Sequence, residues 1–157
     1  MSELEMTVEA LKLCIRPEAL EEALARVKSA TAASAATFCD ADELEQRIEQ
    51  LLLNTGMPTH IKGFRYTVTG IRLILEDPEM ADGITKWLYP TIARIYNSTP
   101  CRVERGIRHG IEVAWGRGDL NQLYAYFRNT VDCRRGKPTN SEFLTRMAYL
   151  ARDQRNA

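Results

Sequence analysis

A set of cationic and hydrogen-bonding side chains recurs every three or four residues between positions 102 and 112 of the chain. Arginine can bind guanine O6 and N7 through two N–H groups, and glutamate can accept a hydrogen bond from cytosine N4. These residue types at helical spacing are therefore suited to contacting base edges in a DNA major groove. The candidate DNA-binding residues are Arg102, Glu104, Arg105, Arg108, His109 and Glu112.

A helix that would carry these side chains is indicated by an apolar stripe on the opposite side. Its members recur at intervals of 4, 4 and 3 residues, which places them on one helical face. They are Val103, Ile107, Ile111 and Ala114. Thr99 is a good N-cap and Pro100 an acceptable first helical residue, so the helix is predicted to begin there. Gly116 and Gly118 are predicted to end it.

A short helix precedes this one, and a tight turn joins the two. We expect Ile92, Ala93 and Ile95 to face inward, and Asn97 to occupy the turn, where left-handed geometry is tolerated. The small Ala93 and the later Val103 would let the two helices pack closely. The layout is that of a helix-turn-helix, whose second helix enters the major groove. The pattern alone also fits a solvated amphipathic helix, and it leaves both interpretations open.

The formal net charge is +0, but the charges are segregated along the chain. Residues 1–80 hold 8 Lys and Arg against 14 Asp and Glu, whereas residues 81–157 hold 13 against 7. The basic half contains the candidate recognition helix. A localised basic surface favours phosphate contacts, since each contact releases condensed counterions. Surface arginines can also simply solubilise a helical domain, although that alternative does not explain the segregation.

Cysteines and catalytic motifs give little support for an enzyme or a metalloprotein. Cys14, Cys39, Cys101 and Cys133 form no CxxC pair, so a metal site is not predicted, and neither is any cofactor. Cys101 is expected to be a small, partly buried side chain. We find no Gly-rich phosphate loop and no metalloprotease or nucleophile motif. Without an apolar run long enough to span a bilayer, the expected location is cytoplasmic.

The order of predicted elements is helical throughout, and the predicted fold class is all-α. Residues 1–40 are predicted to be a helical extension and linker, and residues 41–157 to form the helix-turn-helix domain. Thr139 and Glu142 are spaced as a capping box. Besides the helix-turn-helix, we predict helices over residues 4–29 with a break at Pro17, 40–54, 64–77, 83–88, 119–127 and from 139 onward, with a linker at 30–37 and a basic loop at 129–138. Residues 64–77 would also suit a strand.

Four sequence blocks carry a resemblance to a known family. They read HIKGFRY at 60–66, GITKWLYPTIARIYN at 83–97, RVERGIRHGIEVAWGRG at 102–118 and GKPTNSEF at 136–143. Together they resemble the DNA-binding effector domain of the sporulation master regulator, the stage-zero response regulator of endospore-forming bacteria, over roughly residues 42–157. The resemblance implies a bundle of about six helices around a helix-turn-helix. It also implies a transcription factor that binds partly palindromic promoter boxes as tandem dimers and contacts the sigma subunit of RNA polymerase.

The resemblance also implies roles for particular residues. The family's recognition helix matches Cys101 through Trp115, and its base-contacting side chains fall on Glu104, Arg105 and Arg108. Arg102 and His109 flank these positions and are expected to touch phosphate, and Glu112 completes the set on the same face.

The polymerase-contacting surface of the family maps around Gly118 to Asn129 and the following loop, where Leu123 and Phe127 are equally suited to the core. Pro100 and Cys101 stand where the family usually has a small residue and a serine, so a hydroxyl contact to phosphate is lost. The loop at 128–135 is more basic than is typical of the family, which favours affinity for the DNA backbone.

The full regulators of this family carry a phosphorylatable receiver domain ahead of the effector domain. Residues 1–40 show no such pattern, so we expect dimerisation to be constitutive, driven by DNA or supplied by another element. The N-terminal segment could pack on its own domain or pair with a second copy or another protein. Two functions follow. One is a sequence-specific regulator of sporulation-type promoters, and the other is an interaction module that acts through residues 1–40 on the full-length regulator or on RNA polymerase.

Overall fold

The computed structural model of the chain describes residues 25–26, 40–132 and 134–153. The chain divides into two units, Met1–Asp42 and Glu43–Ala157. Residues 25 and 26 are helical. The rest of the predicted helix over 4–29, with its break at Pro17, and the predicted linker at 30–37 lie outside the described residues. The predicted domain boundary at residue 40 stays a prediction.

Seven α-helices follow one another in the described residues from 40 onward, and these residues contain no strand. They are α1 (40–54), α2 (Lys62–Glu76), α3 (Glu79–Asp82), α4 (Tyr89–Ile95), α5 (Pro100–Arg117), α6 (Leu120–Phe127) and α7 (Asn140–Asp153). A π-helical turn at Ile84–Leu88 leads into α4, and a 3-10 turn at Arg128–Thr130 follows α6. The all-α prediction is confirmed, with seven helices rather than about six.

Helix α2 is the centre of the bundle, and its side chains are buried around most of its circumference. The β-branched residues that also suited a strand are accommodated in the helix; the Thr67 hydroxyl, for example, donates to the Gly63 carbonyl at 2.7 Å. Helices α4, α5 and α7 all pack against α2. A helix that is buried on most sides belongs in a core. Helix α2 is therefore the platform on which the helix-turn-helix rests.

An aromatic cluster joins α5, α6 and α7. Phe127 and Phe143 stack with ring centroids 5.3 Å apart, and Trp115 meets both rings edge-on at 5.1 and 6.1 Å. Phe127 is fully buried, and Leu123, one turn before it, is 2% exposed. Leu123 and Phe127 suited either a polymerase contact or the core, and both side chains lie in the core.

The observed helix boundaries differ from the predicted ones at several places. Helix α2 begins at Lys62 rather than at residue 64. The helix predicted over 83–88 is a π-helical turn at Ile84–Leu88, and the short α3 that precedes it was not predicted. Gly116 does not end α5, because the helix continues through Arg117 and reaches its C-cap at Gly118. A single glycine lowers helix stability by only about 1 kcal/mol, which the packed face of α5 offsets. In the described part of the chain, no helix is long and apolar enough to cross a membrane.

Candidate nucleic-acid interface

The turn between α4 and α5 has the backbone geometry that its sequence predicts. Asn97 adopts a φ of +49°, in the left-handed region. The Ser98 N–H donates to the Ala93 carbonyl at 2.8 Å, and the Asn97 N–H donates to the Arg94 carbonyl at 3.4 Å. This pair of hydrogen bonds is a Schellman motif, which satisfies carbonyl groups at the end of a helix. The prediction for Asn97 is confirmed.

The start of α5 is also as predicted. Thr99 has an extended backbone, and its side chain accepts a hydrogen bond from the Arg102 N–H at 3.4 Å. Pro100 is the first helical residue, where a missing N–H costs nothing. The two signals together fix where α5 begins, and with it the register of every side chain that follows.

The inner side of the helix-turn-helix agrees with the apolar pattern at all but one position. Ile92 and Val103 are fully buried, and Ala93 is 4% exposed. Ile95 is 52% exposed, so the prediction that it faces inward is wrong. The buried face of α4 runs through Tyr89, Ile92 and Ala93. At 100° per residue Ile95 falls about 110° from the centre of that face, and the helix ends before another turn covers it.

A close contact between two backbones holds α5 against α2. Gly63 of α2 faces Gly106 of α5, and a Cβ atom added at Gly63 would overlap the Gly106 carbonyl oxygen. A Cβ at Gly106 would lie 2.9 Å from the Tyr66 ring. A larger residue at Gly63 would force one of the two helices to move. The position of α5 is thus set by main-chain contact with the central helix.

The six predicted residues lie on the side of α5 away from α2, which we call the recognition face. Five of them are exposed, namely Arg102, Arg105, Arg108, His109 and Glu112. Glu104 is half-buried at one edge of the face. Arg105 and Glu112 are seven residues apart, so they share one ridge directly opposite the buried stripe.

Cys101, at the start of α5, is exposed, so the expectation of partial burial is wrong. It lies two residues before the buried Val103, which turns its side chain by about 200° away from the core.

Glu104 and Arg108 form an ion pair on the recognition face, one helical turn apart. The Glu104 side chain is 26% exposed and that of Arg108 is 62% exposed. Such a pair restricts the guanidinium to one region of the surface while leaving N–H groups available to a further acceptor. Two of the residues predicted to contact bases are therefore coupled to one another in the free protein.

Glu112 is paired with a residue from outside the helix-turn-helix. The Lys137 ammonium donates to Glu112 Oε1 at 2.8 Å, with both side chains a little under half exposed. This hydrogen bond and the charge of Lys137 lower the pKa of the Glu112 carboxyl below its usual range. The carboxylate on the ridge of α5 is thus hydrogen-bonded to a cation from the segment before α7, and the charges of His109 and Arg108 act on it more weakly.

Asn140, the first residue of α7, ties three helices together. Its side-chain amide donates to the Tyr89 hydroxyl at 3.1 Å and to the Glu104 main-chain oxygen at 3.1 Å. Burial raises the pKa of the Tyr89 phenol above its ordinary value, against the opposing effect of the Asn140 hydrogen bond.

The capping box predicted at Thr139 and Glu142 is present. The Thr139 N–H donates to the Glu142 carboxylate at 2.8 Å, and the Glu142 N–H donates to the Thr139 hydroxyl at 3.3 Å.

Sequence reasoning missed Lys137, Asn140 and Tyr89 as residues that support the recognition face. Their contacts join positions that are 25, 36 and 51 residues apart in the sequence, so no local pattern predicts these contacts. All three lie in blocks that resemble the family, Tyr89 in GITKWLYPTIARIYN and the other two in GKPTNSEF, so the resemblance was the signal that could have found them.

An open groove runs between α5, the π-helical turn and the segment before α7, alongside the recognition face. Trp87 lies in its wall and is 43% exposed, with the Lys86 ammonium 5.2 Å from the ring centroid. Arg135 and Lys137 border the groove on the opposite side. Cationic side chains from two further elements therefore extend the positive surface of α5.

A second exposed surface has a different character. Helix α6 leaves Leu120 and Tyr124, one turn apart, 53% and 59% exposed. We call these two residues the α6 face. They fall within the Gly118 to Asn129 stretch onto which the family's polymerase contact maps.

A tight left-handed turn, a capped second helix and an exposed row of arginines on that helix define a helix-turn-helix DNA-binding protein. The family described as Sporulation initiation factor Spo0A C terminal matches residues 48–150, about two thirds of the chain. The chain belongs to this family, and it contains the DNA-binding effector domain of a sporulation transcription regulator. The family is one of transcription factors and not of enzymes.

Proposed function

We propose that the chain is a sequence-specific transcription regulator that binds sporulation-type promoter boxes by placing α5 in the major groove. The observation that carries the proposal is the recognition face, which is directed away from α2 and holds three exposed arginines. Phosphate contacts would supply most of the affinity, and contacts to base edges would supply the specificity.

The proposed roles follow from position on the helix. Arg105 lies directly opposite the buried stripe of α5 and would bind guanine through two hydrogen bonds. Arg108 would bind a second guanine, and Glu104, paired with it, would accept from cytosine N4. Arg102 and His109 lie on the flank and would contact phosphate.

We further propose that residues 41–157 act as the DNA-binding domain and that it binds tandem boxes as a homodimer in the cytoplasm. The resemblance to the family supports this, because it implies partly palindromic boxes, whose symmetry a homodimer matches. The sigma subunit of RNA polymerase is the proposed protein partner. The α6 face supports this proposal, because exposed aromatic and aliphatic side chains are typical of protein interfaces.

The decisive experiment selects bound sequences from random duplex DNA with the full chain and then measures affinity for the selected box. Arg105→Ala and Arg108→Ala should each weaken binding by about 1–3 kcal/mol, or about 5- to 150-fold in Kd. Arg117→Ala is the matched control, because Arg117 lies on the same helix but outside the recognition face. It should change the Kd by less than about twofold. If both recognition-face variants bind the box as tightly as the parent, the assignment of α5 fails.

The competing function, an interaction module acting through residues 1–40, predicts a different result in the same assay. Binding would be weak, would ignore sequence and would vanish as salt rises, because it would depend on phosphate charge alone. Repeating the selection with a chain that lacks residues 1–40 tests the proposed domain boundary. An unchanged box preference would assign specificity to residues 41–157.

A further inference from the structure

The position of Glu112 on α5 raises an electrostatic difficulty for DNA binding. Glu112 lies on the same ridge as Arg105, seven residues further along, and its side chain is exposed. Seven residues correspond to about 10.5 Å along the helix axis. The major groove is about 12 Å wide, so a helix with Arg105 at the base edges brings Glu112 towards a phosphate-bearing rim. An uncompensated carboxylate there would repel the DNA.

The structure supplies a cation for this carboxylate from a separate element. Lys137 meets Glu112 at 2.8 Å, and two neighbouring residues fix the segment that carries it. Pro138 is buried, and Asn140 is hydrogen-bonded to the main chain of α5 itself. Lys137 is thus held beside α5 by a segment that is itself fixed to α5.

The other glutamate of α5 is neutralised from within the helix, since Glu104 pairs with Arg108. Both carboxylates of the recognition face therefore have cationic partners. Lys86 offers a contrast. It borders the same groove as Lys137, but its ammonium lies over the Trp87 ring rather than against a carboxylate of α5.

We propose that Lys137 is a positioning residue that acts on DNA binding through Glu112. It serves as an internal counter-ion that lets the ridge of α5 approach phosphate, and it makes no phosphate contact of its own. The inference rests on the proposed function, because it assumes that α5 enters the major groove. It assigns support of DNA affinity to a residue that lies 25 positions from Glu112 in the sequence.

A double-mutant cycle on the full chain tests the proposal. The variants are Lys137→Ala, Glu112→Gln and their combination, measured on the selected box and on a scrambled duplex at several salt concentrations. Lys137→Ala should weaken binding about fivefold or more in the parent, because Glu112 loses its hydrogen-bonded cation. Glu112→Gln should bind more tightly than the parent. In the Glu112→Gln background, Lys137→Ala should cost less than about twofold.

A direct phosphate contact by Lys137 predicts the opposite pattern and would overturn the proposal. The loss would then be equal in both backgrounds, and the slope of log K against log salt would fall by about 0.9 when Lys137 is removed. Lys86→Ala is the matched control, and its effect should be the same with and without Glu112→Gln. If Glu112→Gln rescues Lys86→Ala equally well, the coupling is a general field effect and the proposal fails.

The two duplexes separate this inference from the proposed function. Repulsion at the groove rim depends on phosphate and not on bases, so the coupling should be present on both the selected and the scrambled duplex. Coupling without any preference between the duplexes would contradict the proposed function alone. A clear preference without coupling would contradict the role of Lys137 alone. Thermal melts of each variant, followed by circular dichroism, confirm that the exposed substitutions leave the fold intact.

Discussion

The recognition face of α5 and the α6 face are both exposed, yet they differ in how their side chains are held. Both carboxylates of the recognition face are paired, one with Arg108 of the same helix and one with Lys137. On the α6 face, Leu120 and Tyr124 are more than half exposed. The first surface is polar and preorganised, and the second is apolar and solvated.

This difference indicates two kinds of ligand. A surface whose charges are already in position binds a polyanion such as DNA more tightly, because ordering long side chains on binding costs free energy. An apolar surface gains affinity when it is removed from water, which is consistent with the proposed protein partner. The two faces share one core, since Trp115 of α5 and Phe127 of α6 are in edge-on contact. Three predictions test whether the faces can be disabled together and separately.

The largest effect is expected for Phe127→Ala, which should disable both faces. Phe127 is fully buried and stacks on Phe143, so truncation leaves a cavity where α5, α6 and α7 meet. The free energy of unfolding should fall by about 3–5 kcal/mol, as measured by urea denaturation. Tyr124→Ala, on the exposed side of the same helix, is the control and should change it by less than about 0.5 kcal/mol. Loss of one binding activity with full retention of the other would show that the faces do not depend on a common core.

An intermediate effect that is confined to the recognition face is expected for Asn140→Ala. The substitution removes two hydrogen bonds, one to the Tyr89 hydroxyl and one to the Glu104 main-chain oxygen. The free energy of unfolding should fall by about 1–2 kcal/mol, and affinity for the selected box should fall several-fold because α5 loses its tie to α4 and α7. Ser141→Ala, at the next and exposed position, should change neither quantity. A drop in DNA affinity with unchanged stability would instead mark Asn140 as a direct DNA contact.

The parts of the interface that the sequence predicts correctly are those with local causes. Asn97 and Thr99 act on backbone groups within five residues, so their types and positions suffice to place the turn and the start of α5. The buried stripe from Val103 to Ala114 follows in the same way from helical periodicity. The family resemblance added the overall fold, which no local pattern specifies.

The parts that the sequence does not predict depend on packing between distant segments. Ile95 is apolar and adjacent to a buried face, but the end of α4 leaves it uncovered. Lys137 resembles any other residue of a basic loop until the fold brings it to Glu112. The exposure of Leu120 beside the burial of Leu123 likewise depends on which side of a short helix meets the aromatic cluster.

The smallest effect on stability, and the sharpest separation of the two faces, is expected for the double variant Leu120→Ser and Tyr124→Ser. Both side chains are exposed, so stability should change by less than about 0.5 kcal/mol for each, and affinity for the selected box should stay within about twofold. Binding to the isolated sigma subunit, measured by fluorescence anisotropy, should weaken at least about fivefold because the apolar contact is lost. Arg105→Ala should give the mirror result, with weak DNA binding and unchanged sigma binding. If the double serine variant weakens DNA binding as much as Arg105→Ala does, α6 also contacts the duplex, and the division of the molecule into a DNA face and a protein face is wrong.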